Sequence, residues 1–106
     1  MTSKTKKKYT YKTRLPCRAN GLFVVKNGSG LHTRPSTELV KCAANFRSEI
    51  TLHYKDCSVN AKSLLGILML AAEKGAKIRV EAYGEDAREA VESLLVLAGE
   101  QFKIKY

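Results

Sequence analysis

One short run carries residue types and an order suited to phosphate chemistry: Gly30-Leu31-His32-Thr33-Arg34-Pro35-Ser36. It follows Asn27-Gly28-Ser29, a loop sequence, and opens a helix. Pro35 falls in the first helical turn, where its missing N–H costs nothing. His32 then occupies the N-cap position. Serine, threonine, aspartate and asparagine cap better than histidine, so an imidazole here points to chemistry. The amides of the first turn and the positive end of the helix dipole make a ready anion site. Arg34 adds a permanent positive charge whose fork matches phosphate oxygens. Imidazole is largely neutral and nucleophilic near pH 7, with an ordinary pKa of about 6.5. Its phosphoramidate is labile, so a group taken up there passes on. Phosphoryl transfer is mostly positioning and charge stabilisation, which the Thr33 and Arg34 amides and the Arg34 side chain can supply. The run reads as a histidine that carries a phosphoryl group.

A second stretch stands downstream. Ser63 precedes Leu64-Leu65-Gly66-Ile67-Leu68-Met69-Leu70-Ala71-Ala72. A serine at that position caps a helix well. The apolar residues that follow cover the whole helical circumference, and a short helix in a two-layer fold buries only one face. Some of the leucines must be exposed, which marks a partner site. The alternative occupants are the N-terminal arm or a second copy of the chain.

The two stretches resemble one family. Gly-Leu-His-Thr-Arg-Pro is similar to the active-site signature of HPr, the histidine-containing phosphocarrier of the bacterial phosphoenolpyruvate-dependent phosphotransferase system. Val59-Asn60-Ala61-Lys62-Ser63-Leu64-Leu65-Gly66-Ile67 resembles the family's regulatory-serine segment. With the pattern of elements, the resemblance covers about residues 19–103. It implies that His32 is phosphorylated, on Nδ1, by phosphoenolpyruvate-charged Enzyme I and passes the group to enzyme IIA components. It implies regulatory phosphorylation of Ser63 by HPr kinase/phosphorylase, beside a docking surface of Leu64, Leu65 and Leu68 next to the histidine. Such a protein is a carrier, not an enzyme that turns over alone, and has no built-in cofactor. An alternative within the family is a regulatory, nitrogen-type paralogue whose phosphorylation state signals.

The elements that must position these residues follow from periodicity. Gly21–Lys26 reads as a strand with Phe23 and Val25 inward and Leu22 and Val24 outward. Thr33 to about Phe46 is a helix with Ser36, Leu39, Val40, Ala43 and Ala44 on one stripe. Ser48–Tyr54 alternates, with His53 outward as a solvated residue. Lys55-Asp56 is a hairpin turn leading to a strand over Cys57–Lys62. Ser63 to about Glu73 is a helix stopped by Gly75. Lys77–Tyr83 alternates again. Asp86 to about Phe102 is the last helix, begun by Asp86 and Glu89 as a capping-box-like pair. The order βαββαβα predicts an α+β, two-layer, open-faced sandwich with three helices on one face. The resemblance implies that the sheet is antiparallel and four-stranded.

Totals narrow the function classes. A chain of 106 residues makes one domain. Net charge is +9, but residues 1–20 hold seven basic residues and no acidic one. Residues 1–18 therefore read as a basic, disordered arm ahead of a domain over 19–106. The arm offers weak polyanion binding, and a small nucleic-acid-binding module is the rival reading from another class. The folded part has no basic stripe interleaved with aromatics. No apolar run spans a membrane and none follows the charged N-terminus as in a signal peptide, which predicts a cytoplasmic protein. Cys17, Cys42 and Cys57 are too few and too scattered for a disulfide framework or metal site. They are expected as reduced thiols with packing roles.

Overall fold

The structure, a computed structural model, describes residues 16–104. Residues 1–15 of the expected arm lie outside the described residues. The elements are β1 (Cys17–Val24), α1 (Thr33–Ala43), β2 (Glu49–Tyr54), β3 (Cys57–Asn60), α2 (Leu64–Met69), β4 (Lys77–Gly84) and α3 (Ala87–Gly99). The order is βαββαβα. The strands form one antiparallel sheet in the order β1-β4-β2-β3.

Alternation builds the two faces. Phe23, Ile50, Leu52, Ile78, Val80 and Ala82 point to the helical side and are buried. Leu22, Val24 and Tyr83 point to the open side and are exposed. α3 lies on β1 and β4 through Ala87, Ala90, Val91, Leu94 and Leu97, while α1 packs on α2 and α3. Glycine decides how close α3 can come: a Cβ at Gly21 would stand 2.8 Å from Val91 Cγ1.

Several boundaries differ from the periodicity reading, each for a tertiary reason. β1 starts at Cys17, four residues before the expected Gly21, because Cys17 and Arg18 pair with Gly84 and Tyr83 of β4. α1 ends at Ala43, short of Phe46, and the Asn45 and Phe46 amides close tight turns onto Cys42 and Ala43. α2 ends at Met69, well before Glu73 and Gly75. Ala71 turns left-handed at φ 51°. The following carbonyl, Ala72, accepts the Leu31 N–H at 2.9 Å. Gly75 N–H then donates to the Val25 carbonyl at 2.8 Å, and Val25 N–H donates to the Ala76 carbonyl at 2.9 Å, which ties this segment to the residue after β1.

α3 runs from Ala87 to Gly99, and a left-handed turn over Gln101–Lys103 replaces its expected end. Gln101, Phe102 and Lys103 have φ of 54°, 56° and 64°. This unfavourable backbone is retained because Phe102 is fully buried, edge-on to Phe23 with centroids 5.7 Å apart. Asp86 makes no side-chain cap. Its carboxylate instead accepts the Arg47 and Ser48 N–H groups, each at 2.9 Å, and the Ser48 hydroxyl. The expected capping box is thus a clamp between the start of β2 and the start of α3. The thiols are free, but only Cys42 packs on the core; Cys17 and Cys57 are exposed.

Candidate functional site

His32 is the N-cap residue of α1, in extended backbone at φ −79° and ψ −169°. The first helical hydrogen bond runs from Ser36 N–H to the His32 carbonyl at 3.0 Å. Pro35 has no N–H, so the donors of this end are the amides of Thr33 and Arg34. Thr33 and Arg34 are exposed, whereas Pro35 and Ser36 are buried. Ser36 Oγ donates to the Leu31 carbonyl at 3.0 Å, which holds the turn just before the histidine. Thr37 Oγ1 donates to the Thr33 carbonyl at 2.7 Å.

The loop ahead of His32 is clamped at three points. Gly30 N–H donates to the Asn27 carbonyl at 2.9 Å. Gly30 has φ +73°, and a Cβ there would collide with the Ala72 carbonyl oxygen and stand 2.9 Å from Glu73 Cα. Leu31 is buried and bonded to that same Ala72 carbonyl. The fully buried Asn27 donates from Nδ2 to the carbonyls of Gln101 at 2.9 Å and Ile104 at 3.3 Å. The C-terminal turn, the end of α2 and the histidine loop are therefore one mechanical unit.

His32 is partly exposed as a residue, but its Nε2 is shut off from solvent. His32 stands at the positive end of α1, where an anion meets the helix dipole.

Ser63 is the N-cap of α2, with its hydroxyl accepting Gly66 N–H at 3.0 Å. Leu64 and Leu65 are exposed, Leu65 at 69%, whereas Leu68 is half-buried. Ile67 and Leu70 take the core side. The most exposed apolar residue of α2 is Met69, at 73%, which periodicity alone does not single out. α2 contacts α1 directly. Thus the exposed apolar side chains stand on the helix adjoining the one His32 caps.

Asn27 and the Gly30 approach to Ala72 also escape a reading of the chain in order. A buried asparagine in a polar loop sequence gives no signal. His53, expected as a solvated residue, is instead bonded to Ser58 and Glu81. Among the described residues no group of three or more His, Cys, Asp or Glu could hold a metal ion. No helix among them is long and apolar enough to cross a membrane.

An antiparallel four-stranded sheet with helices on one face and a histidine capping the first helix is the architecture of a phosphocarrier domain. Comparison with known proteins agrees. A family model described as PTS HPr component phosphorylation site matches residues 20–99. The phosphocarrier protein HPr of Xylella fastidiosa is 42% identical over 80 residues, covering 76% of this chain and 90% of that protein. The crystal structure of HPr-C-His from Thermoanaerobacter tengcongensis superposes with a TM-score of 0.79 at 33% identity, covering 83% of this chain and 99% of that one. The HPr of Bacillus anthracis superposes with a TM-score of 0.71 at 34% identity, covering 74% and 94%. The chain belongs to the HPr family of phosphocarrier proteins of the phosphotransferase system.

Proposed function

We propose that His32 is the phosphoryl acceptor of this chain, charged by phosphoenolpyruvate-derived phosphate on Enzyme I and discharged to enzyme IIA components. The observation that carries this reading is the burial of Nε2 while the residue stays partly exposed at the α1 terminus. The nitrogen left for an incoming group is Nδ1. In the neutral tautomer with its proton on Nε2, the Nδ1 lone pair attacks phosphorus. The bond to the donor breaks as the N–P bond forms. The Thr33 and Arg34 amides and the Arg34 guanidinium take up the charge on the phosphoryl oxygens. The later transfer to an acceptor reverses these events.

Ser63 is the regulatory site in this proposal, phosphorylated by an HPr kinase/phosphorylase. Its phosphate would add about −1.5 to −2 charges next to Leu64 and Leu65, against which partners dock with Leu68. The domain, which takes in β1 from Cys17 onward, acts in the cytoplasm, and the basic residues before it are a separate arm.

The test is incubation with Enzyme I and phosphoenolpyruvate, followed by intact mass and acid-lability measurement beside His32→Ala. One acid-labile phosphate on the parent and none on the variant is the expected result. Nitrogen NMR should place it on Nδ1. No phosphate on the parent, with an Enzyme I from the same source shown to be active, overturns the reading.

A further inference from the structure

Away from the His32 loop, the side chains that can do chemistry meet on the open face of the sheet. Strand register sets His53 opposite Ser58 of β3 and Arg79 of β4, with Glu81 in the next row. Ser58 Oγ lies 2.7 Å from His53 Nδ1, and His53 Nε2 lies 3.0 Å from Glu81 Oε1. An ionised carboxylate can only accept. Neutral His53 therefore carries its proton on Nε2, and Nδ1 accepts the Ser58 hydroxyl proton. Arg18 Nη1 of β1 at 3.3 Å and Arg79 Nη1 of β4 itself at 3.8 Å hold Glu81. The hydrogen bond with His53, and then the two guanidiniums, keep the Glu81 carboxyl below its usual range despite some desolvation. Nucleophile, base and a third group that orients the base are thus in line. Ser58 is exposed, so a reagent from solvent reaches Oγ. A groove of about 410 Å³ runs beside it at the β2–β3 edge, with Thr51, Asn60 and Lys62 in its walls.

We propose that Ser58 is a second nucleophile of this protein, separate from the phosphoryl relay, which takes a small acyl group from activated esters. His53 is its base and Glu81 a positioning residue. Ser58 Oγ attacks the ester carbonyl carbon while its proton passes to His53 Nδ1. The tetrahedral intermediate then collapses: the bond to the leaving oxygen breaks, the alcohol or phenol takes the proton from His53, and acyl-Ser58 remains. The groove is shallow and open to water, which suits small acyl groups with good leaving groups.

The test treats the full chain with p-nitrophenyl acetate and maps the acetyl group. The hydroxylamine-labile ester on Ser58 is followed apart from stable amides on lysines. Ser58 should be acetylated in the folded chain about a hundredfold faster than in the urea-unfolded chain or in His53→Gln, the lower part of the range for a positioned base. The comparison with the unfolded parent requires no variant to fold. Glu81→Asp should retain more of the rate than Glu81→Gln. Ser58→Ala should lose the labile ester yet still gain phosphate from Enzyme I, which separates this site from His32. Equal Ser58 labelling in folded and unfolded chains, an unchanged rate in His53→Gln, or adducts confined to lysines overturns the proposal.

Discussion

At the residue scale, Gly30 shows how one missing Cβ fixes the loop ahead of His32. The left-handed backbone at φ +73° and the contact with the Ala72 carbonyl oxygen leave no room for a side chain. Gly30→Ala should lower stability by about 1–3 kcal/mol in urea unfolding, because strain and collision act together. It should also slow phosphoryl uptake, since the loop leading into His32 must move. In the proposed transfer, Arg34 acts through its charge and its planar fork. Arg34→Ala should leave the unfolding midpoint nearly unchanged, as expected for an exposed side chain. The same variant should slow transfer from Enzyme I, read as a fall in rate at saturating donor. Lysine in its place should restore part of the rate, because it returns the charge without the planar fork.

At the element scale, α2 is too short to be stable alone and owes its place to the core contacts of Ile67 and Leu70. Its outer residues are therefore open to other use. Leu65→Glu should change stability by no more than about 0.5 kcal/mol, as for an exposed position. It should raise the KM for this protein in the Enzyme I reaction, and an unchanged KM would exclude Leu65 from the docking surface. α3 depends on a different contact. Asp86 accepts the amides of Arg47 and Ser48 and the Ser48 hydroxyl, so it joins α3 to β2. Burial pushes its carboxyl up, but these hydrogen bonds outweigh burial and leave it below the ordinary 3.8. A depressed folded pKa favours the folded state fully above the unfolded value. That stabilisation is lost as pH falls through the lower folded value. Asp86→Ala should cost about 2 kcal/mol at neutral pH by stranding the Ser48 donors. The variant should also show a shallower loss of stability than the parent below about pH 4, measured by thermal unfolding across pH.

At the scale of the whole molecule, β1 begins at Cys17, and this sets where the N-terminal region can be cut. Removing residues 1–18 would take away Cys17 and Arg18, which pair with Gly84 and Tyr83. Removing residues 1–15 spares the strand and deletes six basic residues. The shorter deletion should keep phosphoryl uptake at the parental rate. It should also reduce salt-sensitive binding to mixed DNA or RNA, measured as a flatter dependence of affinity on salt. Retained polyanion binding after this deletion would place that activity on the folded domain. The mechanical link from Asn27 to Gln101 and Ile104 belongs to this scale too, because it joins the two ends of the fold beside the histidine loop.

The order βαββαβα, the inward residues of every strand and the place of His32 at the start of α1 were legible in the chain itself. Period-two and period-3.6 patterns report which side of an element meets the core, and the histidine and proline at the start of α1 act on their immediate neighbours. The ends of elements were not legible, because their causes lie far away in sequence. α2 stops at Met69, where the chain turns so that the Ala72 carbonyl accepts Leu31 N–H, and α3 gives way at Gln101 because Phe102 enters the core against Phe23. Asp86 looked like a cap because a cap is a local device, yet its partners are two amides 38 and 39 residues away. His53 looked solvated because alternation assigns a face and says nothing about cross-strand partners. Only the register of β2 with β3 and β4 brings Ser58 and Glu81 to its ring. Sequence alone determined what is set by local backbone preference and burial pattern. Tertiary structure decided what depends on hydrogen bonds and contacts between elements, since those form only when distant segments are folded together.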